Sequence, residues 1–144
     1  MRKTLTAALL AIAALAVPAS AEEKPDLVTI LTSEEPQTQL MSMVLTMQSL
    51  QQGADTYTLL CGPGGDLALK NPPDSATAPQ KPKGMSPQKL MQMIMDEGGT
   101  VEVCALYLPN KGVGPEALLD GIGMAKPPAM AARLLADDTR LMSF

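Results

Sequence analysis

Histidine is absent from this chain of 144 residues. With it go the commonest general base, the commonest zinc ligand and every Ser-His or Cys-His nucleophilic pair. What remains for chemistry is two thiols, Cys61 and Cys104, eleven methionine thioethers, carboxylates and backbone amides. Cys104 lies in the β-branched run Thr100–Tyr107. It reads either as an inert buried thiol, a common fate of free cysteine, or as a nucleophile. The second reading comes from the residues beyond it: the chain passes through Gly112 and Gly114 to a helix expected at Pro115. The free N–H groups of such a helix would stabilise a thiolate or a bound anion, and Lys111 would add positive charge. Cys61, at the end of an earlier apolar run, is open to three readings: a structural disulfide with Cys104, a resolving thiol for it, or an independent thiol. The two cysteines do not form a CxxC motif, so only the fold can bring them together.

Gly62-Pro63-Gly64-Gly65 comes directly after Cys61. It lacks the GKS or GKT of a phosphate loop and the spacing of a dinucleotide fingerprint, and reads as a tight turn whose amides help form a site beside Cys61. Met41, Met43, Met47 and Met91, Met93, Met95 are thioethers of the kind that favours Cu(I). Their helical spacing points instead to core filling, with Met93 alone clearly off the inner arc of its helix. The acid pairs Asp96-Glu97 and Asp137-Asp138 diverge as neighbours do and read as solvated turns.

The elements that must position these groups can be read from pattern. Arg2 and Lys3 precede the thirteen-residue run Leu5–Val17, then Pro18, then Ala19-Ser20-Ala21. This is the layout of a secretory signal peptide cleaved after Ala21; thirteen residues fall short of the roughly 20 that a spanning helix needs. The expected product, residues 22–144, is a single domain without a membrane span, in an oxidising compartment such as a bacterial periplasm. Without Arg2 and Lys3, nine basic residues face fifteen acidic ones, a net charge of −6. With that charge, no Trp, one Phe and two Tyr, nucleic-acid binding is disfavoured.

Strands are expected at Leu27–Thr32, Thr56–Cys61, Thr100–Tyr107 and Thr139–Phe144. Helices are expected from Pro36 to Gln52, from Ser86-Pro87 to Gly98, from Pro115 to about Asp120 and from Pro127 or Pro128 to Asp138. In the first helix Leu40, Met43, Val44, Met47 and Leu50 form one stripe, with Met41 and Leu45 off it and available to another subunit. Asn71–Gly84, with four prolines, is a loop. Strands alternating with helices imply a parallel sheet covered on both faces, with ligands at the carboxyl ends of the strands, where both cysteines fall.

Taken in order, LVTILTS (27–33), the strand end Leu59-Leu60-Cys61-Gly62-Pro63-Gly64-Gly65-Asp66, Val101-Glu102-Val103-Cys104 with Gly112 eight residues on, and Leu141-Met142-Ser143-Phe144 resemble the DsrE/DsrF-like family over about residues 26–144. The resemblance implies a three-layer α/β sandwich with a mostly parallel sheet of about five strands, assembled as a homo- or hetero-oligomer. It further implies a sulfur relay in which Cys104 holds sulfane sulfur as a persulfide, with no cofactor and with a sulfur-donor or sulfur-acceptor protein as partner. Ala105–Lys111 departs from the small-residue and arginine pattern of the cytoplasmic relays, and an exported member has no access to cytoplasmic tRNA. Cys61 is not carried over from the family. The expected site is therefore Cys104 as sulfur acceptor and Cys61 as resolving or disulfide partner, with Gly62, Gly64, Gly65, Lys111 and Gly112 around the bound group. The alternatives are a non-catalytic oligomeric binding or scaffold module with structural cysteines and, third, a Cu(I)-binding protein.

Overall fold

The computed structural model describes residues 24–144; the expected signal peptide and its cleavage site lie outside the described residues. Five strands, β1 (Asp26–Leu31), β2 (Asp55–Leu60), β3 (Thr100–Val103), β4 (Gly123–Met124) and β5 (Thr139–Ser143), form one sheet in the order β4-β3-β2-β1-β5. Every pairing is parallel. Helices α1 (Pro36–Gln51) and α3 (Pro87–Asp96) cover one face, α5 (Pro127–Leu134) covers the other, and two shorter helices, α2 (Asp74–Thr77) and α4 (Tyr107–Lys111), lie in the connections. This is the expected three-layer α/β sandwich. Among the described residues no helix is long and apolar enough to cross a membrane.

The helix starts reflect local chemistry. Proline occupies the first turn of α1, α3 and α5, where its missing N–H is no loss. Glu35, not Ser33, caps α1: its carboxylate accepts from the N–H groups of Gln37 and Thr38 at 3.0 and 2.6 Å, while Ser33 Oγ accepts from Glu35 N at 3.1 Å. Ser86 caps α3 through the Lys89 N–H.

The main core joins Leu31, Leu60, Val101 and Val103 of the sheet to Met43 and Met47 of α1 and to Leu90, Met91 and Ile94 of α3. Core filling thus accounts for three of the six clustered methionines, whereas Met41 and Met93 are exposed. The stripe expected on α1 is rotated. Gln39, Ser42 and Thr46 are fully buried together with Met43 and Met47, whereas Leu40, Val44 and Leu50 are only half-buried at the edge of the core. Helix hydroxyls reach their own carbonyls, Ser42 Oγ to Gln39 O at 2.7 Å and Thr46 Oγ1 to Ser42 O at 2.8 Å. Thr46 also meets Thr29 of β1 at 2.8 Å. A small polar side chain whose hydroxyl is satisfied lets helix and sheet approach closely, and that option overrides the apolar periodicity.

Three further expectations are corrected. The third strand stops at Val103, because the chain turns at once: the Tyr107 N–H donates to the Cys104 carbonyl at 2.8 Å and opens α4. Pro109, just past the expected end of that strand at Tyr107, occupies the third position of the helix, where it costs no intrahelical bond. The helix expected at Pro115–Asp120 is a single 3-10 turn, Pro115–Ala117. Strand β4 has only two residues, Gly123-Met124, too short for any periodicity to announce it.

After β2, residues Gly62–Ala68 wind into a 3-10 helix against the end of β1. An added Cβ at Gly64 would lie 2.4 Å from the Leu31 carbonyl oxygen, a backbone atom with no room to yield. Gly64→Ala should therefore lower the unfolding midpoint in urea by an amount equivalent to about 2 kcal/mol or more. Met93→Ala, on the exposed side of α3, should stay within about 0.5 kcal/mol of the parent.

Candidate functional site

In the β2–β3 pairing Leu60 stands opposite Val103, and the Cys104 N–H continues the ladder by donating to Leu60 O at 2.8 Å. The next residues outward, Cys61 and Cys104, are therefore cross-strand neighbours on the sheet face covered by α5, with backbones about 4.8 Å apart. Both are free thiols, half-buried, each with the other's sulfur beside it. Cys61 packs against the smaller core of Val28, Tyr57, Leu59, Ala125 and Met130, and Cys104 packs against both cores.

A cleft of about 550 Å³ opens at the carboxyl ends of the strands. Its wall draws on the loop after β1 (Glu34), the turn after β2 (Gly62, Pro63, Asp66) and the segment after β3 (Cys104, Leu106, Tyr107, Asn110, Lys111). Cys104 lines it and Cys61 does not. Asp66 ties the two later segments together: its Oδ1 accepts from the Tyr107 hydroxyl at 2.6 Å and from Lys111 Nζ at 2.7 Å. Burial, and then the Asp66 carboxylate, hold the Tyr107 hydroxyl above its ordinary range. The ring of Tyr107 lies flush on Gly65, where an added Cβ would come within 2.4 Å of ring carbons.

The expected site residues thus separate. Cys104, Gly62 and Lys111 meet at the cleft, but Lys111 directs its charge at Asp66. Gly64 and Gly65 are buried beneath the turn. The Gly64 N–H is taken by the carbonyls of Thr32 and Cys61, and Gly112 ends α4 in the left-handed conformation with its N–H on Leu108 O. The segment placed beside Cys104 is α4 rather than a helix at Pro115. Sequence reasoning missed Glu34, Asp66, Tyr107 and Asn110. The Asp66 that ends the Gly-rich turn was the one available signal, as an acid with a lysine among the residues beyond Cys104.

Burial pushes the Cys61 thiol up to about 12, and the neighbouring Cys104 sulfur acts in the same direction. Cys61 thus keeps its proton at neutral pH. A second polar group lies apart from the thiols under α5, lining a cavity of about 330 Å³. There Arg133 stacks on the Tyr57 ring at 4.7 Å and pairs with Asp26 at 2.5 Å, and the Tyr57 hydroxyl donates to Glu102. Burial, then Glu102, raise the Tyr57 hydroxyl as well. Among the described residues no group of three or more Cys, Asp or Glu side chains is placed to hold a metal ion.

No family model matches the sequence, and no curated protein does either. Solved structures do match in shape. YchN from E. coli superposes with a TM-score of 0.66 at 17% identity, over 84% of this chain and 99% of its own. A protein of unknown function from Methanobacterium thermoautotrophicum, MTH1491, gives 0.60 at 12% identity, over 85% and 100%. The fold is DsrE-like. The five-strand parallel sheet flanked by helices is the architecture that the ordered strand ends led us to expect.

These environments generate two measurements. An unfolded cysteine loses its proton near 9.0 and the folded Cys61 near 12, so the folded state binds more protons between those values. Stability should therefore be full below about pH 9 and fall as pH rises toward about 12. That fall, followed by urea denaturation across the range, should be shallower in Cys61→Ser. With no Trp and only Tyr57 and Tyr107, tyrosinate absorbance reports two groups. Both should titrate above the usual value of about 10, and Asp66→Asn should bring one of them down while leaving the other as an internal reference.

Proposed function

We propose that the protein is an exported sulfur carrier of the DsrE/DsrF-like family, working in the periplasm as a homo-oligomer, with Cys104 as the sulfur-bearing residue. The observation that carries this reading is the position of Cys104. It stands at the carboxyl end of β3 and lines the cleft built from the three strand ends, and the family resemblance of the sequence implies that a cysteine so placed bears the sulfur. The Cys104 thiolate attacks the outer sulfur of an organic persulfide, R–S–SH. A bond forms between Cys104 Sγ and that sulfur, the donor's S–S bond breaks, and its electron pair leaves as R–S⁻. A partner thiol takes the sulfur by the same displacement in reverse.

The walls of the cleft favour an organic donor. Leu106, 68% exposed, and Pro63 offer apolar contact. Glu34 and Asp66 set two carboxylates against the single ammonium of Lys111, so a small dianion such as thiosulfate is repelled. In the reduced Cys61→Ser protein, organic persulfide should add about 32 Da, one sulfur atom, removable by dithiothreitol. The Cys61→Ser/Cys104→Ser protein should gain nothing, and thiosulfate should load more slowly. A protein whose cysteines are only structural would show no gain in either variant, and Cys104→Ser would cost stability alone.

A further inference from the structure

We propose that Cys61 is the resolving thiol of this site: it discharges a persulfide on Cys104 as hydrogen sulfide and leaves a Cys61–Cys104 disulfide bridging the ends of β2 and β3. The inference rests on the carrier reading above and adds a second activity, the reduction of sulfane sulfur to sulfide.

The geometry bears on approach and direction. Cys104 lines the cleft and Cys61 does not, so a donor entering from solvent meets Cys104 first and leaves its sulfur on the cleft side. Cys61 stands at the flank of Cys104, in the neighbouring strand and away from the cleft lining. Displacement at sulfur requires the nucleophile to approach opposite the leaving group. With the outer sulfur in the cleft, the Cys61 sulfur is on the side from which the inner sulfur, Cys104 Sγ, can be attacked. The in-register spacing of about 4.8 Å between parallel neighbours falls within the range of about 4.4–6.8 Å for the Cα atoms of a disulfide. The spacing of neighbouring strands therefore permits the bond.

The step is balanced: the Cys61 thiol and the Cys104 persulfide give the Cys61–Cys104 disulfide and one molecule of hydrogen sulfide. The bond between the two protein sulfurs forms and the persulfide S–S bond breaks. Its electron pair leaves with the outer sulfur, which also receives the proton of Cys61. Counted from the dithiol, the two cysteines are oxidised by two electrons and the sulfane sulfur is reduced by the same two; no other oxidant is involved. An external dithiol returns the pair to the reduced state. Burial disfavours the Cys61 thiolate, which slows its attack and favours competition by a partner thiol for the sulfur.

The test uses the mature, reduced protein without oxygen, treated with one equivalent of organic persulfide and freed of small thiols, with intact mass and released sulfide followed over time. The wild type should pass through a gain of about 32 Da to a loss of about 2 Da, releasing one equivalent of sulfide at a rate independent of protein concentration. Cys61→Ser and Cys61→Ala should both keep the added sulfur roughly tenfold longer or more and release no stoichiometric sulfide. A wild-type persulfide as long-lived as that of the variants, with no species lighter by two hydrogens, overturns the proposal while leaving the carrier reading intact. Failure of both Cys61 variants to gain sulfur at all overturns the carrier reading, and this inference with it.

Discussion

In a parallel sheet the residues that leave the carboxyl ends of paired strands stand side by side, and each pairing determines which side chains meet there. In this protein the pairing of Leu60 with Val103 carries that burden. It brings together two cysteines 43 positions apart in the chain and sets both on the same face of the sheet. It also brings the Gly-rich turn after β2 against the helix after β3, so that one cleft is built from both. A slip of one residue would turn one thiol to the opposite face and dissolve the pair. The register is held on the core side by Leu60, Val101 and Val103, all essentially inaccessible to solvent, so the thiols are positioned by burial on the face opposite their own.

Asp66 is the second fixed point. It receives both the Tyr107 hydroxyl and the Lys111 ammonium, and thereby clamps α4 to the turn that precedes it in the chain by some forty residues. The charge of Lys111 is absorbed there, which leaves the cleft acidic and makes its chemistry that of thiols in a partly apolar, negatively charged setting. Gly65 belongs to the same clamp: with no side chain it lets the Tyr107 ring lie on the backbone, and the ring in turn carries the hydroxyl to Asp66. The Gly-rich turn after β2 therefore uses its glycines for packing.

Much of the scaffold was legible in the chain. The prolines at 36, 87 and 127 marked helix starts because an N–H missing from the first turn costs nothing, and the β-branched runs marked β1, β2 and the beginning of β3. The order of strand ends was enough to resemble a DsrE-like sandwich. The failures are equally physical. Helix α4 was hidden because Pro109 punctuates a strand and a first helical turn equally well. Strand β4 was hidden because two residues have no period. The inward face of α1 was misread because Ser42 and Thr46 satisfy their hydroxyls on the helix's own carbonyls, which makes them as buriable as the leucines beside them.

Local chemistry, then, determined which groups this protein has for reaction, two thiols with no histidine to serve them, and where strands and helices begin, since caps, prolines and β-branched runs act over a few residues. Only the tertiary structure decided that the thiols are neighbours, that Cys104 lines the cleft while Cys61 is held protonated behind it, and that Lys111 answers to Asp66 instead of to a sulfur. Those are outcomes of strand register and burial, set by contacts between residues forty or more positions apart, which no window on the sequence contains.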